Sequence, residues 1–301
     1  MAANSALEAG PLTRASQTVR SKRVRAFSIL NMSAVYAVLL VGSVAYAIPF
    51  GWMMRASLMS LGQFYEDPPP LIPDPIEWSN YIDAWNVGPV HWWIINSLAV
   101  VLVGITIGLL VNCLVAYGFA RLNFPGQTGL FVLVIATMMI PQHVTIIPQV
   151  ILFREMNVLD TLLPLVLPLL GGSPFYIFIL RQFFMTLPRE LDDAAAIDGA
   201  SRVRILRSVI LPLAKPAIAT VAVFSFISHW NDFFFPFIVL QSAERLTLAV
   251  GMRWLQAGQY DVQQLHLQMA IALMAVAPII IAFFLAQKHF IRGIALTGVK
   301  G

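Results

Sequence analysis

Acids and amides are scarce in this chain, and where they fall limits the chemistry it can do. Trp230, Asn231 and Asp232 sit inside one apolar run, and Met138, Gln142, Thr145 and Gln149 recur at steps of four, three and four along another. An amide or acid in an apolar span needs water or a polar partner. The Met138-to-Gln149 stripe therefore either lines an aqueous path or bonds a neighbouring helix. Asp232 either faces such a path or is held by a nearby amide or basic group. Trp230 can stack on the face of a ring-shaped solute, or serve as packing or an interface anchor.

A second set of polar residues is clustered. Between Leu187 and Pro212 the apolar character stops at Pro188-Arg-Glu-Leu-Asp-Asp-Ala-Ala-Ala-Ile-Asp-Gly-Ala-Ser201. Pro188 suits a first helical turn, and Glu190, Asp192 and Asp193 fall where the positive end of a helix dipole favours acids. Ala194, Ala195 and Ala196 keep the helix slim, and Asp198-Gly199 supplies a stop that tolerates positive φ. Ser201 caps a second helix, whose Val203, Leu206 and Ile210 are expected on one face opposite Arg202 and Arg204. A solvated loop rarely needs two capped helices, so this segment reads as a docking element for another subunit.

Several chemistries find no residues to carry them. There is no His-Glu-x-x-His pair, no Gly-x-Ser-x-Gly turn, no phosphate-binding Gly-x-x-x-x-Gly-Lys-Ser/Thr loop and no cysteine cluster, Cys113 being the single cysteine. His91, His143, His229, His266 and His289 are scattered over different segments. The chain is thus expected to be non-catalytic, with no cofactor or metal of its own, and any ATP it uses must be hydrolysed by a partner. One intramembrane acid and no internal repeat also argue against an ion-coupled carrier.

The elements that position these residues are membrane spans. Of 301 residues, 58% are hydrophobic and 11% charged, too apolar for an ordinary soluble domain. Net charge +4 is explained by topology rather than by nucleic acid. A span needs about 20 apolar residues, and six fit: 27–52, 93–120, 130–153, 161–180, 216–240 and 267–288. The expected class is an all-α polytopic membrane protein. A basic arm (1–26) precedes a transmembrane domain (27–301) that includes the docking loop at about 187–212 and a tail at about 289–301. The first apolar stretch is too long for a signal-peptide core and lacks a small-residue cleavage site, so it reads as a retained anchor. Gly104, Gly108, Asn112 and Ala116 recur every four residues in the second span and let a neighbouring helix approach closely. Pro141 and Pro148 bend the third.

Charge orients the spans. With both ends inside, fifteen Lys and Arg fall on the inner side and four, Arg55, Arg154, Arg245 and Arg253, on the outer. That predicts a multi-pass protein of the inner or plasma membrane with cytoplasmic termini. The first outer loop is acidic and proline-rich around Pro68-Pro-Pro70.

The docking segment resembles the permease subunits of ATP-binding-cassette importers, whose signature is Glu-Ala-Ala, three residues, Gly, nine residues, then Ile-x-Leu-Pro. Here Asp193-Ala194-Ala195, Gly199 and Val209-Ile-Leu211-Pro212 keep that spacing, with Asp for Glu and Val for Ile. Similarity to the maltose-type carbohydrate branch extends through Tyr117-Gly-Phe-Ala-Arg-Leu-Asn-Phe-Pro-Gly126, Met139-Ile-Pro141, Ile146-Ile-Pro148, Arg181-Gln-Phe-Phe184, Ile197-Asp-Gly-Ala-Ser201, Trp230-Asn-Asp-Phe233 and Leu296-Thr-Gly-Val-Lys-Gly301. The resemblance implies a type I importer fold and the smaller, six-helix permease of a pair. Glu190, Asp193, Ala194, Ala195, Asp198 and Gly199 would form the coupling helix seated on an ATPase. Its implied partners are a second permease, two ATPase subunits that bind ATP and Mg, and an external binding protein reached by the loop around 244–264. The solute would be a sugar or, as alternatives, a polyol or glycerol phosphodiester.

Overall fold

The structure is a computed structural model that describes the backbone over residues 11–256 and 264–297, with side chains over 32–256, 264–285 and 287. The basic side chains of the arm, the 257–263 part of the outer loop and the side chains of the tail lie outside the described residues. Every regular element among those described is helical.

The chain divides into two units, residues 1–55 and 56–301. The first is one helix, α1 (Pro11–Ala56), apolar enough to cross a membrane from Met32 onward. In the second, α2 (Val90–Arg121) is a continuous span. The third span is α3 (Gln127–Ala136), continued to Met139 by a tight turn, and α4 (Gln142–Glu155), with a 93° bend between them. The fourth combines helical turns over Leu163–Gly171 with α5 (Pro174–Thr186), bent by 40°. Then come α6 (Glu190–Ile197) and α7 (Arg202–Ile205), the latter running on to Leu213 through a wide π turn. An 81° elbow leads into α8 (Lys215–Trp230), followed after a break by α9 (Phe234–Val239) and then α10 (Leu248–Gln256). The last span is α11 (Leu265–Thr297). Counting each bent pair as one crossing makes six spans, as the sequence predicts.

The expected bends are sharper than a proline kink alone. Pro141 stands at the break between α3 and α4, whereas Pro148 lies within α4. The fifth span was expected to run to about 240, yet its first helix stops at Trp230, before Pro236 is reached. Asn231 and Asp232 compete for the backbone there. The Asn231 amide donates to the Ile227 carbonyl at 2.8 Å, and the Asp232 carboxylate accepts the Phe235 N–H. Asp232 therefore lies in a break rather than within a helix.

The small-residue face of α2 does pack: Gly104, Gly108, Asn112 and Ala116 are all buried, and α2 lies against α5 and α8. A Cβ on Gly104 would come within 3.0 Å of the His229 ring, so that approach needs glycine. Two apolar cores result, and α2 contributes to both. One gathers Trp93, Val101, Phe153, Trp230, Val239 and Leu246; the other gathers Ala116, Leu180, Phe184, Ile205, Ile210 and Val221.

Candidate functional site

The docking segment is built as two capped helices. Its first helix starts one residue later than Pro188 suggests, with Arg189 at the cap position and the Asp192 and Asp193 N–H groups donating to the Arg189 carbonyl. Gly199 has φ +75°, the left-handed stop that glycine allows. The Ser201 side chain accepts the Arg204 N–H at 3.4 Å.

The second helix corrects the predicted face. Leu206 and Ile210 are buried, but Val203 is 72% exposed, and Ile205 takes an inward position instead. A strict 3.6-residue repeat thus misplaces Val203, and a π turn over Leu206–Ile210 follows it.

What holds the segment is a pair the sequence does not announce. Asp192 and Asp193 are neighbours of one type, yet Asp193 is exposed and Asp192 is buried against the C-terminal end of α2. There Arg121 pairs with Asp192 at 3.3 Å, its side chain 1% exposed, and donates a second bond to the Leu187 carbonyl at 2.9 Å. Arg121 Nε, Asp192 Oδ1 and the Tyr117 hydroxyl, also buried, have no hydrogen-bond partner among the described residues. Arg181 adds a brace, donating to the Phe119 carbonyl at 3.1 Å with its guanidinium 4.0 Å from the centre of the Phe131 ring. The signal for Arg121 was its place in the Tyr117–Gly126 run, where a lone arginine closes an apolar helix.

Thus anchored, the helix leaves Glu190, Asp193, Ala194, Asp198 and Gly199 exposed and Ala195 half-buried. Ile197, 87% exposed, and Val203 add apolar surface. The arrangement offers a slim, acid-rimmed ridge with an apolar centre.

The other candidates meet at the helix breaks. His143, at the start of α4, lies 5.4 Å from Phe234, at the start of α9, measured between ring centres, so the breaks carrying Gln142 and Asp232 are adjacent. Met138, Gln142 and Asn231 are exposed; Gln149 and Asp232 are half-buried. The expected stripe on α4 bonds largely to itself, Thr145 donating to the Gln142 carbonyl at 2.8 Å and Gln149 to the Thr145 hydroxyl at 3.2 Å. Trp230 is buried, stacked on Phe226 and donating to the Ala275 carbonyl at 3.0 Å, while it and Asn231 also line a cavity of about 230 Å³ with Met252 and Ala275.

At the opposite end of α2 from Arg121, residues 243–248 are strapped to its first turns. Trp93 donates to the Ala243 carbonyl, Asn96 to the Glu244 and Leu246 carbonyls, and Ser97 accepts the Leu248 N–H, all at 2.7–3.0 Å. Asp160 ties in the loop after α4: its carboxylate accepts the Gln241 and Ser242 N–H groups and the Ser242 hydroxyl, and Arg245 donates to both its carbonyl and its carboxylate. Burial raises the Asp160 pKa, but the Ser242 and Gln241 bonds and the Arg245 charge outweigh it and hold the carboxyl below its ordinary value.

Residues 104–296, from the middle of α2 through α11, match the family described as "Binding-protein-dependent transport system inner membrane component". The chain belongs to this family. It is a membrane-spanning permease subunit of an ATP-driven, binding-protein-dependent importer. It is 32% identical over 86% of its length to the arabinooligosaccharides transport system permease protein AraQ of Bacillus subtilis (strain 168), covering 92% of that protein. It is likewise 32% identical over 86% of its length to the sn-glycerol-3-phosphate transport system permease protein UgpE of Yersinia pestis, covering 94% of it. Among solved structures, the fold matches a chain of a bacterial ABC transporter involved in the import of the acidic polysaccharide alginate. The TM-score is 0.75 at 23% identity, covering 90% of this chain and 98% of that one.

Proposed function

We propose that this permease is the smaller, six-span subunit of a sugar or oligosaccharide importer, and that α6 with the Asp198-Gly199 stop is its coupling helix. The ridge seats in a groove of an ATPase subunit, which binds ATP and Mg and performs the hydrolysis. A second permease completes the path, an extracytoplasmic binding protein delivers solute near 244–264, and both termini are cytoplasmic. Gln142, Gln149, Asn231 and Asp232 face the second permease across the path, with Met138 and Trp230 beside them.

One observation carries the coupling assignment: an exposed helix that ends at apolar Ile197, with exposed Val203 on the helix after it, is anchored to the 32-residue α2 by a buried ion pair. A loop serving only as a connection has no need of either feature. The name of UgpE favours a second reading of the solute, a glycerol phosphate, on the same subunit architecture.

Gly199→Asp, or a bulky residue at Ala195, should leave the chain inserted but abolish uptake, because a side chain there blocks seating in the groove. Copurification of the ATPase should be lost with it. A variant that retains its ATPase and transports normally overturns the docking assignment.

A further inference from the structure

The break in span four and the last turns of α8, before the break in span five, border a second, more polar cavity. The turn over Thr137–Met139 packs against α5, the His143–Phe234 contact joins the third break to the fifth, and α5 begins where the fourth span breaks at Gly172. At that point α2, α5 and α8 enclose about 150 Å³ lined chiefly by Gly108, Asn112, Ser173, Tyr176, Ser225 and His229. The volume is room for about five waters or one small ring.

The walls are built for hydrogen bonding. Asn112, 2% exposed, accepts the Ser173 N–H at 2.7 Å through Oδ1, which leaves its amide Nδ2 beside Gly108 with no protein partner. Ser225, 4% exposed, presents a hydroxyl that is likewise unbonded to protein. Tyr176 bonds to exposed Ser228 at the rim. Gly172 has φ +71°, and a Cβ there would lie 3.0 Å from Asn112 Oδ1, so the wall depends on glycine. First-turn N–H groups of α5 open at the same place, with no side-chain cap from Ser173.

No Asp, Glu, Lys or Arg lines this space. An ion entering it would lose its water without gaining a counter-charge. A neutral hydroxyl, which both donates and accepts, can satisfy the Asn112 amide and the Ser225 hydroxyl together. Broken helices around a polar pocket are also how membrane proteins accommodate a solute away from lipid.

We propose that this cavity is a solute site within this subunit, holding an uncharged hydroxylated group, such as one sugar ring, during passage. It rests on the importer reading above and adds that this permease itself touches the solute. The test uses the intact complex, reconstituted with its partner subunits and binding protein. Gly108→Val and Ser225→Val fill the cavity from two walls. Uptake should fall about tenfold, while ATPase subunits still copurify and stimulated hydrolysis stays within about twofold. Ser225→Cys, with Cys113→Ala, should react with methyl methanethiosulfonate. A panel of uncharged saccharides that includes arabino-oligosaccharides should slow that reaction, and sn-glycerol-3-phosphate should not.

Unchanged uptake in both valine variants, or labelling that no saccharide slows, overturns the site. Protection by the phosphate alone overturns its neutral character. Should the valine variants fail to assemble, Ser225→Ala removes only the hydroxyl, and a raised KM for uptake supports the site while an unchanged one counts against it. A wild-type complex that moves no solute on ATP addition overturns the importer reading itself, a result distinct from all of these.

Discussion

The two ends of α2 are fastened in opposite ways. At the N-terminal end, Trp93, Asn96 and Ser97 share four neutral hydrogen bonds with residues 243–248, and Asp160 adds its own set to the residues just before them. At the C-terminal end the 188–212 segment hangs on Arg121, through one buried charge pair and one carbonyl. Neutral bonds spread over several residues tolerate the loss of any one. A buried ion pair does not, because deleting either partner strands the other's charge in a low dielectric. The N-terminal end is therefore held by many bonds, and the C-terminal end is held at a joint.

The largest effect should come from breaking that joint. Asp192→Asn leaves Arg121 charged and unpaired and should cost about 3–5 kcal/mol, read as a lower unfolding temperature of the solubilised complex. The exchange Arg121→Asp with Asp192→Arg should recover part of it. By contrast, Ser97→Ala should cost about 1 kcal/mol, and equal losses from Asp192→Asn and Ser97→Ala would erase the distinction between the two ends.

The N-terminal end of α2 has one point where it too is intolerant. A Cβ on Gly251 would lie 2.1 Å from the buried Trp93 ring, so Gly251→Ala must displace α10 or the indole. Overpacking of this kind costs about 1–3 kcal/mol, and limited proteolysis between 240 and 256 should detect the loosened strap. A variant as protease-resistant as wild type would show that the strap yields without cost.

The smallest effect should be at Asp160. Its folded pKa is held below the ordinary value of 3.8, so its contribution is fully present above that value and is lost as pH falls through the folded pKa. Neutral to mildly acidic conditions should leave residues 240–246 undisturbed, with loosening only in stronger acid. Asp160→Asn should bring that loosening to neutral pH, and proteolysis as a function of pH compares the two. Loosening of the wild type near pH 6 would contradict the sign of the shift.

Much of this was legible because it depends on chain-local properties. Apolar length predicts the spans, and Gly199 and Ser201 end and begin helices where their backbone preferences put them. The small face of α2 predicts close packing because period and residue size suffice. The break at Asn231-Asp232 was harder to see, since the run up to Pro236 still reads as apolar helix. Competition by two short polar side chains, rather than the proline, ends α8. Val203 was expected on the same side as Leu206 and Ile210 yet faces out, because which side of this short helix is covered depends on what packs there.

By itself, then, the sequence determined that this is a multi-span helical protein with a family signature, and it marked the 188–212 segment by its Gly199 stop and Ser201 cap. These are matters of composition, spacing and local backbone preference. Only the tertiary structure decided that Asp192 turns inward to Arg121 while Asp193 faces out, that breaks far apart in the chain converge, and that Asn112 and Ser225 share a cavity. Adjacent residues on a helix point about 100° apart, and which direction is buried depends on what packs there. The end of α2 that meets α6 is some seventy positions away along the chain, and no local pattern encodes that meeting.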